Sequence, residues 1–438
     1  MGNPREVSRR TFIGGAAGAA GIAALGWPQA GLADGRHCDD DDDDHGGGHG
    51  EGRRLVPRDR LGLQQFAIRD AITRANRSVS GYLGGPEFPE NPRDLGPLTP
   101  LPGGFAAVFE YLASVGYAGI EFFSFNQGAN VPATPTDAQV RAWLDAAGLR
   151  AAGTHTGGLQ AMTDPANRQA QIDRARILGY RMVGTAGNPA NPTLGTLAAW
   201  QGYAQQANTV GAAFRAAGIK YFFHPEQDWF RFFDDPAHPE LSRTHRMDWF
   251  TDNTDPRYVF FEPDTMHTLA GRARFPDPVD GTLFDVNAWY ARLARQRRLI
   301  AWHLKDAQRI PLPAAGTNPY AQLQWRAGFP MTINGGVDAV YVGEGDVSHG
   351  YPDDPDPEVI GYVEMFQRYP LSDPGWFHAE SDNAPDAPAA PAVSQDPGRS
   401  LRWAKISARN LLALRAQDAS HHGRGHGHGR GHGHGRPW

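Results

Sequence analysis

Short apolar or β-branched segments alternate with longer amphipathic segments through the middle of the chain. Each apolar segment is followed by a polar turn and then by a segment whose apolar residues recur with helical period. This alternation predicts parallel strands joined by crossover helices. The predicted strands are residues 60–68, 118–125, 149–156, 181–187, 219–226, 258–264, 299–306 and 375–381.

Helical segments lie between these strands, and several end in glycine, the usual residue just beyond a helix C-terminus. Eight strands are the number that closes a barrel, so the chain is predicted to be an α/β protein with a single (β/α)8 barrel over residues 59–418. An open doubly wound sheet is the structural alternative. No G-x-G-x-x-G motif follows the first strand, so a dinucleotide site has no support. The predicted helices are residues 104–116, 137–148, 166–179, 197–218, 285–298 and 396–417.

The N-terminus combines paired arginines, Arg9 and Arg10, with a short apolar Gly/Ala stretch that ends in small residues. Residues 1–33 therefore resemble a twin-arginine export signal, which would engage the twin-arginine translocation machinery. An uncleaved membrane anchor is the alternative. The single cysteine, Cys38, excludes an intrachain disulfide. We expect an exported, periplasmic or extracellular protein without a stable membrane anchor.

Low-complexity segments flank the predicted barrel on both sides. Residues 34–58 form an acidic, Gly/His-containing linker, and residues 419–438 form a His/Gly/Arg-rich tail. The stretch from residue 39 to residue 54 and the C-terminal tail have no apolar residues to bury, so the linker and the tail are predicted to be disordered. The six tail histidines suit either a solvated tail or a metal-delivery segment.

The overall charge gives no basic field of the kind that attracts nucleic acid. The formal net charge is -6 and the isoelectric point is near 6.3. A nucleic-acid partner is therefore not expected.

Polar residues accumulate at the C-terminal ends of the predicted strands, where the chemistry of a parallel barrel takes place. Carboxylate and imidazole groups at apolar strand ends are costly to desolvate unless they are paired or bind a metal. These residues predict a divalent metal site whose ligands are His224 or Glu226, Asp264, His303 and Glu380. Each histidine alone is more often structural, and "HLKD" alone suits a surface turn. The strand-end residues are Glu121, His155, His224, Glu226, Asp264, His267, His303, Lys305, Asp306 and Glu380.

Seven segments follow one another along the chain in the order of the predicted strands: "LGLQQFAIRDAI", "GYAGIEFF", "GIKYFFHPE", "PDTMHTLAG", "AWHLKDAQ", "VGEGDVSHG" and "FHAESD". Together they resemble the xylose isomerase-like TIM barrels, the sugar phosphate isomerase/epimerase family, over roughly residues 59 to 415. The resemblance implies metal ligands at Asp264, His303 and Glu380. It also implies that His267, with Lys305 or Asp306, lies near the substrate.

The fifth strand departs from the family pattern. The family usually places a glutamate there, which binds the metal and also transfers a proton. Here that position is His224, and Glu226 follows two residues later. Because residues i and i+2 share a strand face, both side chains could reach the barrel mouth.

The resemblance implies an isomerase or epimerase that uses one divalent ion of manganese, zinc, magnesium or cobalt. The substrate would be a small sugar or polyol-ketone, free or oxidised, that reacts through an enediolate. Glu380, with Glu226 or His224, would move the proton, while Lys305 and His267 would hold an oxygen.

Two assignments and three other functions remain open. Glu121 and His155 suit either substrate contact or structural hydrogen bonding. A lyase or dehydratase acting on a keto-sugar or keto-glycoside could use the same metal site, and a non-catalytic barrel could bind the sugar alone. Apurinic endonucleases share this barrel, but they need a basic groove and three metals.

Overall fold

The structure is a computed structural model that describes residues 52–73, 80–83, 96–123, 134–186, 195–306, 342–350, 360–381 and 398–417. The predicted export signal, most of the predicted linker and the histidine-rich tail lie outside the described residues. The end of the predicted linker is ordered instead, because Leu55 and Val56 are buried in the core and Leu55 N donates to Leu414 O at 3.1 Å. The helices of the described part are α1 (Arg69–Thr73), α2 (Gly104–Ser114), α3 (Asp137–Ala147), α4 (Leu159–Met162), α5 (Pro165–Leu178), α6 (Leu197–Ala216), α7 (Arg246–Asp252), α8 (Thr265–Arg274), α9 (Val286–Arg295), α10 (Asp346–His349), α11 (Tyr362–Arg368) and α12 (Arg399–Ala413).

The strands of the principal sheet are β1 (Leu61–Gln64), β2 (Gly119–Phe122), β3 (Arg150–Thr156), β4 (Met182–Ala186), β5 (Lys220–His224), β6 (Val259–Phe261), β7 (Ala301–Leu304) and β8 (Trp376–Ala379). They are parallel and lie in the order β6-β5-β4-β3-β2-β1-β8-β7. Two further parallel bridges, Phe261↔Leu299 and Asp264↔His303, join the β6 and β7 segments, so the sheet curls into a barrel. The predicted (β/α)8 fold class is confirmed.

Most strands are shorter than the sequence predicts, because the polar residues at their C-terminal ends start other structures. The end of the first predicted strand, Gln65–Ile68, is a 3-10 helix, and the residues after β5 enter another, Gln227–Phe230. Asp264 caps α8 instead of extending β6. A separate antiparallel ribbon pairs Ser80–Tyr82 with Leu98–Pro100.

Local sequence signals set the helix boundaries. Thr136 and Gln139 form a reciprocal capping box at the start of α3, and Asp164 caps α5. Gly148 and Gly179 follow the same two helices with φ values of 72° and 87°, which favour glycine. Among the described residues, no helix is both long and apolar enough to cross a bilayer.

The barrel interior is apolar toward the N-terminal ends of the strands and polar toward their C-terminal ends. Phe222, Phe260 and Trp376 belong to a buried apolar cluster, and the side chains two residues further along their strands are His224, Glu262 and His378. Because side chains at i and i+2 share a strand face, the inward-facing side chains of these three strands change from apolar to ionisable along the strand. The polar layer therefore lies toward the C-terminal ends of the strands.

Candidate metal centre

Four buried side chains from the last four strands meet at the C-terminal end of the barrel. Their potential ligand atoms, one from each residue, all lie within 4.8 Å of one another. We call them the outer group: His224, Asp264, His303 and Glu380. His224 ends β5 and His303 lies within β7, whereas Asp264 and Glu380 follow β6 and β8. The barrel thus brings together ligand-type residues that are far apart in sequence.

Asp264 uses its two carboxylate oxygens for different purposes. Oδ1 accepts a hydrogen bond from the backbone N–H of His267 at 2.8 Å, which caps α8. Oδ2 faces the ammonium group of Lys305 at 3.2 Å. The segment Asp-Thr-Met-His therefore ends a strand and begins a helix while one carboxylate oxygen still faces the outer group.

Lys305 lies among three partners of the site. Its Nζ is 3.2 Å from Asp264 Oδ2, 3.1 Å from Glu380 Oε2 and 3.3 Å from His267 Nε2. His267 Nδ1 lies 2.9 Å from the amide oxygen of Gln227. Because an amide oxygen only accepts, Nδ1 carries the proton and Nε2 accepts from Lys305. Gln227 thereby fixes the tautomer of His267.

His303 faces a carboxylate with each ring nitrogen. Nδ1 is 2.7 Å from Glu380 Oε2, and Nε2 is 2.7 Å from Glu121 Oε2. Burial lowers the pKa of His303 well below its usual value, so the ring is neutral and carries one N–H. Among the described residues, Nδ1 makes no hydrogen bond despite its closeness to Glu380. An imidazole nitrogen and a carboxylate oxygen that lie this close without a hydrogen bond are placed as two ligands of one cation would be.

Glu380 is held in its ionised form. Burial by itself raises the pKa of this carboxyl, but the ammonium group of Lys305, together with the neighbouring imidazoles of His224 and His155, lowers the pKa below its usual value. Burial lowers the pKa of His224 well below its usual value. Anionic oxygen and neutral imidazole nitrogen are the forms that bind a divalent metal. The outer group therefore fits such an ion.

A second cluster lies one step earlier along the strands. We call it the inner group: Glu121, His155, Glu262 and His378, all at most 4% exposed. His155 Nε2 is 3.0 Å from Glu262 Oε2 and 3.2 Å from Glu121 Oε2. His378 Nδ1 is 2.7 Å from Glu262 Oε1. Glu121 and His155 thus contact buried side chains beneath the outer group.

Burial decides the charge of the inner group. It lowers the pKa of His155 to about 4 and that of His378 to about 3, so both rings are neutral near pH 7. It also raises the pKa of Glu121 and of Glu262 well above the usual value. The charges of neighbouring carboxylates add to the increase at Glu262. Burial therefore favours the neutral form of these carboxyl groups.

Sequence analysis missed two members of this polar interior, Glu262 and His378. Both stand two residues before a predicted ligand, Asp264 and Glu380 respectively. The i, i+2 alternation that placed His224 and Glu226 on one face would have included them if applied to the sixth and eighth strands.

Glu226 lies outside the three metal-ligand groups formed by the described residues. Strand β5 ends at His224, so strand alternation does not continue to Glu226. Glu226 is half-buried and precedes the 3-10 helix Gln227–Phe230, and its backbone carbonyl accepts from Trp229 N at 3.0 Å. His224 is the fifth-strand residue that belongs to the outer group.

Asp306 holds a neighbouring backbone segment. Its Oδ2 accepts from the backbone N–H groups of Gly343 at 2.9 Å and Gly345 at 2.8 Å, and its Oδ1 accepts from Ser348 at 3.2 Å. The predicted substrate contact of Asp306 stays a prediction. Through these contacts the carboxylate of Asp306 fixes the segment "VGEGDVSHG", residues 342–350.

Replacing Asp306 with Ala is expected to lower the free energy of unfolding by about 1.5–3 kcal/mol, because buried backbone N–H groups lose a charged acceptor. Urea unfolding measures the loss, and limited proteolysis should show faster cleavage within residues 342–350. Asp306→Asn keeps one acceptor oxygen, so its free energy of unfolding should lie between those of the wild type and Asp306→Ala. Wild-type stability and cleavage in Asp306→Ala would contradict this role.

Comparison with known proteins identifies the family. Residues 109–399 match the family model described as xylose isomerase-like TIM barrel, and the chain belongs to that family. No curated protein matches the chain.

Solved structures with a similar fold include three proteins of low sequence identity. A sugar phosphate isomerase/epimerase from Parabacteroides distasonis has a TM-score of 0.48 and 16% identity, with coverage of 81% of this chain and 93% of that chain. A xylose isomerase-like TIM barrel protein from Mycobacterium smegmatis in complex with magnesium has a TM-score of 0.42 and 14% identity, with coverage of 82% of this chain and 98% of that chain. An L-ribulose 3-epimerase has a TM-score of 0.42 and 13% identity, with coverage of 81% of this chain and 94% of that chain. Similarity this distant does not identify a substrate.

Proposed function

We propose that the protein is a metal-dependent isomerase or epimerase of a sugar or a related polyol-ketone. The observation that carries the proposal is the convergence of His224, Asp264, His303 and Glu380 within 4.8 Å, with Lys305 and His267 beside them. These are the residue types that such a reaction needs: metal ligands, an ionised carboxylate and donors for an oxygen.

One divalent ion would be held by the outer group. Two imidazole nitrogens and two carboxylates favour manganese, zinc or cobalt over magnesium, which prefers oxygen ligands. When bound, the ion would polarise a carbonyl or hydroxyl oxygen of the substrate.

The chain's own residues would carry the proton and hold the substrate. Glu380 is ionised, because nearby positive charge lowers its pKa, and so it can accept a proton from carbon. His224 stands at the fifth-strand position and would be the second proton carrier. Lys305, which donates to His267 Nε2, would also donate to an oxygen that gains negative charge.

The expected substrate is a free or oxidised sugar rather than a phosphorylated one. Residues 1–33 resemble an export signal, and an exported enzyme would meet unphosphorylated sugars. The net charge of -6 does not favour a nucleic-acid substrate.

Proton exchange in deuterated water tests the proposal. The metal-loaded protein is incubated with a panel of ketoses and 3-keto-glycosides, and NMR follows deuterium at the carbon next to the carbonyl. We expect exchange together with an isomer or epimer. Elimination products would instead identify a lyase, and bound substrate without exchange would identify a binding protein.

A further inference from the structure

We propose that the inner group is part of a second cation site, in which Glu121, Glu262 and His378, together with Nε2 of His303, hold a divalent metal. This inference goes beyond the proposed function, because it stands whether or not the outer group isomerises a sugar.

The geometry supplies a complete donor set. One ligand atom each from Glu121, Glu262, His303 and His378 lies within 4.8 Å of the others. His303 Nε2 is 2.7 Å from Glu121 Oε2 and 3.7 Å from Glu262 Oε2. His378 Nδ1 is 2.7 Å from Glu262 Oε1 and 3.8 Å from Glu121 Oε1. Two carboxylates and two imidazoles are a donor set that divalent transition metals accept.

An unpartnered oxygen points to a missing ligand. Within the described part of the chain, Glu121 Oε1 makes no hydrogen bond, although Glu121 is 0% exposed. This oxygen faces His378 Nδ1 at a distance too long for a hydrogen bond. Because an unsatisfied buried carboxyl oxygen is costly, a cation between these two side chains would stabilise the cluster.

His303 would connect the two sites. Its Nδ1 faces Glu380 of the outer group, and its Nε2 faces Glu121 of the inner group. A histidine that binds an ion through each nitrogen is an imidazolate, so occupancy of both sites releases the remaining ring proton to solvent. Because all its ligands are buried, an inner ion would orient His303 rather than contact substrate.

Metal content per chain tests the inference. The full-length protein is loaded with Zn²⁺, dialysed and analysed for zinc alongside the variant Glu121→Gln/Glu262→Gln. Glutamine resembles a protonated carboxyl, so this variant is expected to fold. It should retain one zinc ion fewer than the wild type, while Asp264→Asn should lose the outer ion and keep the inner one. The tail histidines contribute equally to all proteins.

Glu110→Gln, on the exposed face of α2, is the matched control and should keep the wild-type zinc content. Equal zinc content in the wild type and in Glu121→Gln/Glu262→Gln would overturn the proposal. If that variant does not fold, anomalous diffraction from wild-type crystals decides instead. We expect a zinc peak between Glu121 and His378, and the lack of a peak there in zinc-loaded crystals would overturn the proposal. A wild-type protein that keeps the inner zinc ion but exchanges no proton on any sugar of the panel would contradict only the proposed function.

Discussion

Replacing Glu380 with Gln is expected to slow substrate proton exchange by about 10²–10⁴-fold, the usual contribution of a general acid or base. Glutamine keeps the shape of the side chain but removes the negative charge that faces Lys305 at 3.1 Å and His303 at 2.7 Å. The amide cannot accept a proton from carbon. The initial rate of deuterium incorporation at saturating metal measures the effect.

Metal loss must be separated from loss of the base in this variant. Zinc or manganese affinity is measured by titration of the metal-free protein, and the exchange rate is then compared at full occupancy. Glu110→Gln is the control for a surface glutamate and should exchange at the wild-type rate. A Glu380→Gln variant that binds metal and exchanges at nearly the wild-type rate would exclude Glu380 as a proton carrier.

Asp264→Asn and Asp264→Ala are expected to differ in stability but not in metal loss. Asparagine is as good an N-cap as aspartate, so Asp264→Asn should keep the hydrogen bond from His267 N and the start of α8. Alanine removes that cap, at a cost of about 1–2 kcal/mol in the free energy of unfolding. Both variants lose the charge of a ligand, and metal affinity should fall by at least the roughly 10–100-fold that follows loss of a supporting residue.

Unfolding of the metal-free proteins and titration with Mn²⁺ measure these two effects independently. Equal unfolding free energies for the two variants would show that the cap contributes nothing. Unchanged Mn²⁺ affinity in both would show that Asp264 Oδ2 binds no metal. Comparison of the two variants thus distinguishes the role of Oδ1 as a helix cap from the role of Oδ2 as a metal ligand.

The barrel was predictable because its signal is local and repeated. Each strand is short and apolar, and each is followed by a helix with its own cap, as Thr136 and Asp164 show for α3 and α5. Strand lengths were less predictable. The chain leaves the sheet wherever a side chain satisfies the backbone in another way, as Asp264 does at α8.

The outer group followed from one rule, that side chains at the C-terminal ends of parallel strands share the barrel mouth. That rule does not say which way a residue points once its strand has ended. Asp306 lies beyond the end of β7 and binds the backbone of Gly343 and Gly345. Glu226 lies beyond β5 and starts a 3-10 turn.

Glu262 and His378 escaped prediction because both are embedded in segments that otherwise consist of apolar residues. Glu262 follows Val-Phe-Phe directly, and His378 stands between Phe377 and Ala379. A single polar residue in such a run resembles an isolated structural hydrogen bond. Only the register of the closed barrel shows that Glu121, Glu262 and His378 meet.

Anomalous diffraction from crystals grown with Mn²⁺ would locate the proposed ion itself rather than its effect on activity. We expect a manganese peak in contact with His224, Asp264, His303 and Glu380. A map in which Lys305 alone neutralises Asp264 and Glu380, with no peak between these four side chains at saturating Mn²⁺, would contradict it.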